Sequence, residues 1–275
     1  MATPNRTFDL AHWINERYAI KLRRDQGLPA PWTGDPIMAS VRFCNVHRED
    51  DKVTRWLAVN WRPHFNGVWQ ILLARLINNI PTLGLLLPFA DAELDTIRTL
   101  LKTRRSSHLP IFGNAYTVST NGRSMDKVDY ITDHVVKPAK DRWPAEWPSG
   151  STLEGACIQL CTLNGVSTFM AGQIIADLKN IQGHPLLAAP DWFTWAAPGP
   201  GSLRGLEAYF GRPVRPAGFT AALAQCYAEV KPLIADYVPP IHMQDFQNCL
   251  CEFSKYVRVK EGGHARNRYT PPAAG

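Results

Sequence analysis

The sequence predicts a mainly α-helical protein, and three observations predict it. Apolar residues recur at helical spacing, most clearly in Val68, Trp69, Leu72, Leu73, Leu76 and Ile77. Breaks rich in proline and glycine, such as Gly27-Leu28-Pro29-Ala30-Pro31 and Pro198-Gly199-Pro200-Gly201, punctuate these runs. The central stretch Ser151–Lys179 reads as two short helices meeting at one glycine-centred turn.

With 275 residues, 45% of them hydrophobic, the chain can bury a sizeable core. The expectation is one helical domain, or two intimate lobes over 1–150 and 151–260, with a basic tail over 258–275. The run from Ile80 to Ala90 contains Pro81 and Pro88 and falls far short of the roughly 20 residues that span a bilayer. The N-terminus carries Asn5, Arg6 and Asp9 where a secretory signal would be apolar, so a cytoplasmic protein is expected. Six cysteines without a C-x-x-C pair read as reduced thiols, and neither a metal nor a cofactor is expected. A net charge of +6 and a pI near 9.1 favour a polyanionic partner. The cations gather in Arg17–Arg24, Arg42–Arg62, Lys102–Arg105 and Arg258–Arg268, which suits nucleic acid.

In chain order, residues 8–25 form a helix with Trp13, Ile14, Arg17 and Tyr18 on one side. After a turn at Trp32–Pro36, Val41–Asp51 crowds arginines and acids around Phe43 and Asn45 and leads into a helix through Trp56. Such a loop either binds a ligand or pins itself with an Arg–Asp network, because desolvated charges require partners. Phe65 to Ile77 is the strongest core helix. Asp91 is placed to cap a helix that closes on Lys102, Arg104 and Arg105, where cations suit the dipole and can also meet DNA. The loop Ile111-Phe112-Gly113-Asn114-Ala115-Tyr116 offers an amide and an aromatic ring to a base, or is turn chemistry alone. Lys127 starts a helix through Val135.

In the central hairpin, Ser151 and Glu154 have capping-box spacing and Asn164-Gly165 ends the first helix. Asp177 lies near the end of the second helix, either solvent-facing or paired. The glycine-rich run into Ser202 and Arg204 is suited to a phosphate, though it is no Walker loop. A helix spans Phe219–Tyr237, broken or kinked at Lys231-Pro232, and a last one spans Gln244–Val257 with Glu252 and Tyr256 on one face.

Leu163-Asn164-Gly165-Val166-Ser167-Thr168-Phe169-Met170-Ala171 resembles the helix-hairpin-helix element of base-excision DNA glycosylases, with Asn164 in place of the motif's proline and Ser167 of its second glycine. An ordinary αα-hairpin is the other reading. Arg42-Phe43-Cys44-Asn45 with Arg48 and Asp51, Phe112–Tyr116, Asp177-Leu178, Trp195 with Gly199–Ser202 and Arg204, and Cys251-Glu252-Phe253 with Lys255-Tyr256 together resemble one family. It is the phage alpha-glutamyl/putrescinyl thymine pyrophosphorylase family, or amino acid:DNA transferases, whose helical fold is shared with helical domains of 5-hydroxymethyluracil DNA kinases.

The resemblance implies a helical, DNA-glycosylase-like fold and a step of thymidine hypermodification on double-stranded DNA. An amine, either an amino acid or a polyamine, attacks the methylene of 5-pyrophosphoryloxymethyl-uracil and pyrophosphate leaves. Base flipping, a general base and cationic stabilisation of the leaving group are required. Candidate catalytic acids are Asp177, Asp191 and Glu252; candidate substrate ligands are Arg42, Asn45, Arg48, Asn114, Tyr116, Lys127, Arg204 and Lys255; candidate DNA contacts are Asn164, Gly165, Ser167, Arg266 and Arg268. The alternatives are a DNA glycosylase using Asp191 and a non-catalytic DNA-binding partner of the kinase.

Overall fold

A computed structural model describes residues 4–61, 67–89, 92–113, 119–142, 147–265 and 268–269. Its helices, in order, are α1 (Pro4–Asp25), α2 (Pro36–Ser40), α3 (Lys52–Trp56), α4 (Val68–Ile77), α5 (Ile80–Leu86), α6 (Leu94–Ser106), α7 (Lys127–Tyr130), α8 (Lys137–Arg142), α9 (Leu153–Leu160), α10 (Thr168–Leu178), α11 (Pro200–Phe210), α12 (Phe219–Val230) and α13 (Met243–Lys260). Wide π-turns at Leu57–Trp61 and Ile131–Val136 continue α3 and α7. The described residues contain no strand, and the protein is mainly helical as expected. No helix among them is long and apolar enough to cross a membrane.

The chain forms two compact units, one of Met1–Asp51 with Phe193–Gly275 and one of Lys52–Trp192. The second unit thus runs on past the central hairpin to Trp192. The reason lies in α10, which packs on α4 and so belongs with the helices before it.

In the first unit, Trp13 and Ile14 of α1, Leu206 and Tyr209 of α11, Phe219 and Leu223 of α12, and Phe246, Leu250 and Phe253 of α13 share one core. Each such side chain contributes about 1.5–3 kcal/mol on burial. Helices α11 and α13 cross at close range because α11 carries glycine at the crossing. A Cβ on Gly201 would land on the Cys251 thiol, and one on Gly205 would stand 2.7 Å from the Leu250 carbonyl carbon. The glycines that suggested a phosphate cradle are thus occupied by a neighbouring helix. Ser202 is likewise turned inward, exchanging hydrogen bonds with Gly199 at 3.0 and 3.2 Å. Helix α12 stops at Val230, short of Tyr237, because Pro232 falls in the 3-10 turn Lys231–Leu233. Beyond α13, Arg268 pairs with Val41 in a β-bridge and the Tyr269 N–H donates to the Ser40 carbonyl at 2.8 Å, so these tail residues are tied down.

In the second unit, α4 is buried on every side and ends at Asn78 with φ of 45°. Much of the charge on α6 is paired within the unit: Arg98 pairs with Asp95, Asp129 and Asp133, Lys102 with Asp129, and Arg105 with Asp126, while Arg104 donates to the Pro110 carbonyl at 2.9 Å. Helix α9 is capped by Thr152, whose hydroxyl accepts the Gly155 N–H at 2.9 Å, one residue beyond the expected Ser151. The turn to α10 places Gly165 at φ of 82°, where a Cβ would meet the Tyr130 hydroxyl at 2.9 Å, and Ser167 caps α10. Phe65 and Asp91 lie outside the described residues.

Candidate functional site

In the first unit, the loop 42–51 has no strand to satisfy its backbone, and one face of α13 does so instead. Asp245 accepts the Arg48 N–H at 2.9 Å, Asn248 donates to the Asn45 carbonyl at 3.1 Å, and Glu252 accepts the Cys44 N–H at 2.9 Å. These residues follow the i, i+3, i+7 spacing of a single helical stripe. From the other side, Arg17 of α1 donates to the Cys44 carbonyl at 2.8 Å and to the Asn45 side chain at 2.6 Å. The Asn45 amide nitrogen donates to the Asp50 carbonyl at 2.7 Å. Both ends of that amide therefore serve the loop, and Asn45 is a pin where a substrate ligand was expected. The loop is pre-organised, and with it the direction of the cations it carries.

Those cations gather along α13. Lys255 donates to buried Glu252 at 2.6 Å while about a third of its side chain meets solvent, 36%. Burial is the largest single influence and works against its charge, but the Glu252 charge and hydrogen bond, with the Cys44 and Cys251 thiols, together hold the Lys255 ammonium above its ordinary value. Lys255 is a fixed cation and a poor proton acceptor at neutral pH. Burial pushes the Cys44 and Cys251 thiols up, with Lys255 and Arg48 acting against it at Cys44 and Lys255 and Arg204 at Cys251. Arg204 and Arg42 are exposed and form no ion pair among the described residues. Lys255 and Arg204, both open to solvent and both near enough to act on the Cys251 thiol, with buried Glu252 held by Lys255, suit an anion, while the Nε and Nη2 of Arg48 are out of solvent.

The remaining candidates fall elsewhere. Asp177 is fully buried in the second unit and grips Arg75 through both oxygens, one contact at 2.7 Å. Arg75 also donates to Thr54 at 2.6 Å, so Asp177 belongs to a structural network and is withdrawn from proton transfer. Asp191 spans the first turn of α9, accepting the Leu153 and Glu154 N–H groups at 2.7 and 3.0 Å. It does the capping work expected of Ser151 and Glu154. Lys127 lies over the Phe112 ring at 5.3 Å. Asn164, Gly165 and Ser167 form an exposed turn, with Asn164 tied to Asn121 at 3.2 Å. Asn114, Tyr116 and Arg266 lie outside the described residues, and Arg268 is the exposed partner of Val41. Asp245 and Asn248 escaped sequence reading, although two polar residues three apart on the stripe of Glu252 are a legible signal.

Beside Arg48, Glu49 approaches His242, which precedes α13. That contact outweighs burial and holds the Glu49 carboxyl down at about 2.

Compared with known proteins, residues 5–265 match the family described as the 5-hmdU DNA kinase, helical domain. The chain belongs to that family. A 5-hmdU DNA kinase of Bacillus phage SP10 is 25% identical over 230 residues, covering 72% of this chain. The chain spans about a third, 36%, of the length of this curated relative. No solved structure matches this member of the helical-domain family.

Proposed function

We propose that this chain acts on modified thymine in DNA, joining an amine to the exocyclic methylene of 5-pyrophosphoryloxymethyl-uracil. The methylene C–O bond breaks as the C–N bond forms, pyrophosphate leaves with the electron pair, and the ammonium proton passes to solvent. The observation that carries this reading is solvent-open Lys255, held at 2.6 Å on buried Glu252, together with exposed Arg204, cations suited to a polyanionic leaving group. Glu252, with both oxygens engaged, is a positioning residue for Lys255 and for the loop. Family membership supports a 5-hydroxymethyluracil DNA context.

A second reading is favoured by the share of the relative that is matched, 36%: the helical region serves as a DNA-binding partner to a kinase. One experiment separates the two. Phosphorylated 5-hydroxymethyluracil DNA is incubated with the protein and a pool of amino acids and polyamines, then digested for nucleoside mass spectrometry. Free pyrophosphate with an amine-bearing nucleoside is expected. DNA binding without pyrophosphate release supports the partner reading, and a released free base supports a glycosylase.

A further inference from the structure

We propose that Glu49, His242 and Asp245 bind a divalent transition-metal ion, of which Mn2+ and Zn2+ are representative. The three side chains present one ligand atom each, all within 4.8 Å of one another. His242 Nε2 stands 2.9 Å from Asp245 Oδ2 and 3.7 Å from Glu49 Oε1. Metal–ligand bonds of about 2.0–2.2 Å put neighbouring ligand atoms about 3–3.5 Å apart, which brackets what an ion here would require.

The second observation is the state of Asp245. This carboxylate is wholly buried, 0% exposed, and its Oδ2 aims at the cluster without receiving a hydrogen bond. The approach of Nε2 to Oδ2 is short, yet it lacks hydrogen-bond geometry. Its other oxygen is already held by the Arg48 N–H at 2.9 Å, the outer support that ligating carboxylates commonly have. With Nε2 only 2.9 Å from this oxygen and a second carboxylate alongside, the three atoms suit either a proton on Nε2 or a cation bound by all three.

One imidazole and two carboxylates suit Mn2+, Fe2+ or Zn2+ better than Mg2+ or Ca2+, which prefer all-oxygen shells. Coordination through Nε2 leaves the ring proton on Nδ1, which gives up its long 3.4 Å contact with the Asp245 N–H. The rival occupant is a proton on Nε2 shared between the carboxylates. Three protein ligands would leave positions open for water or a phosphoryl oxygen.

The test reads binding without DNA or amine, so its failure leaves the transferase reading untouched. Chelator-treated protein is titrated with Mn2+, following free Mn2+ by paramagnetic resonance, with Zn2+ as competitor. One Mn2+ per chain, displaced by Zn2+, is expected. Glu49→Gln, at a side chain 47% exposed, should weaken Mn2+ binding at least about tenfold while the metal-free protein still melts in one cooperative transition, only modestly lowered by loss of the His242 contact. His242→Gln should weaken binding likewise, with some loss of stability because His242 also caps α13. No binding of either ion at millimolar concentration, or wild-type binding in Glu49→Gln, overturns the proposal.

Discussion

Asp177→Asn should behave as a folding mutation and leave the chemistry alone. In the native chain Asp177 accepts two donors from Arg75, and both side chains are essentially inaccessible, at 0% and 1% exposure. An asparagine keeps one acceptor and turns an NH2 group toward the guanidinium, so a buried cation loses its counter-charge and faces a donor. Breaking a buried pair from one side costs about 3–5 kcal/mol. A cost of that size is a large share of a total stability of about 5–15 kcal/mol. At about 2–4 °C per kcal/mol, the melting temperature should fall by roughly 6–20 °C. Replacing both partners with apolar residues, Arg75→Met with Asp177→Leu, should recover much of the loss, because no charge is then stranded. Thermal melts and single-turnover transfer on the folded fraction are measured side by side. An unchanged melting temperature with transfer cut by about 10²-fold or more would refute the structural assignment and restore Asp177 as a general base.

Arg204→Ala should slow pyrophosphate release by about 10²-fold with little change in melting temperature, since Arg204 is exposed and forms no ion pair among the described residues; normal single-turnover chemistry would remove it from the site. Gly205→Ala gains up to about 1 kcal/mol of helix propensity but meets the Leu250 backbone, which cannot turn aside, so urea melts should show a net loss of about 1–3 kcal/mol; a stabilised variant would mean that α11 and α13 are further apart. Burial holds the His184 imidazole down at about 4, so between its ordinary 6.5 and 4 the unfolded chain binds the extra proton. Stability should therefore be full above pH 6.5 and fall as the pH drops toward 4, less steeply in His184→Gln; a His184 resonance titrating near 6.5 would contradict this.

Helix positions were legible because period and punctuation act locally. The apolar stripe of α1, the core helix α4 and the two arms around Gly165 stand where spacing put them. Partner choice was not, because it is decided across hundreds of residues. Nothing near Asp177 announces Arg75, 102 positions earlier, and nothing near Ser151 says that Asp191 will cap the helix. The glycines of α11 show the limit well: small residues before a helix fit an anion or another helix equally, and only the position of Cys251 and Leu250 decides. The cluster of charge in 42–51 offered both a ligand site and a self-pinned loop, and the pinning is what the hydrogen bonds show. Asn45 is spent on the loop, while Arg42 remains outward.

The stripe of α13 that holds loop 42–51 has a temporal consequence. A ribosome delivers the loop some two hundred residues before Asp245, Asn248 and Glu252, the separations being 197, 203 and 208. Residues 52–192, by contrast, are contiguous and complete while α13 is still unmade. At about 5–20 residues per second, the early segment waits roughly ten seconds or more for its partner. Long-range closure of this kind is slow, and the waiting segment exposes the apolar side of α1. Chains arrested before residue 243 should then carry a folded middle and an unfinished beginning, and pulse-labelled nascent chains digested with protease would display that order.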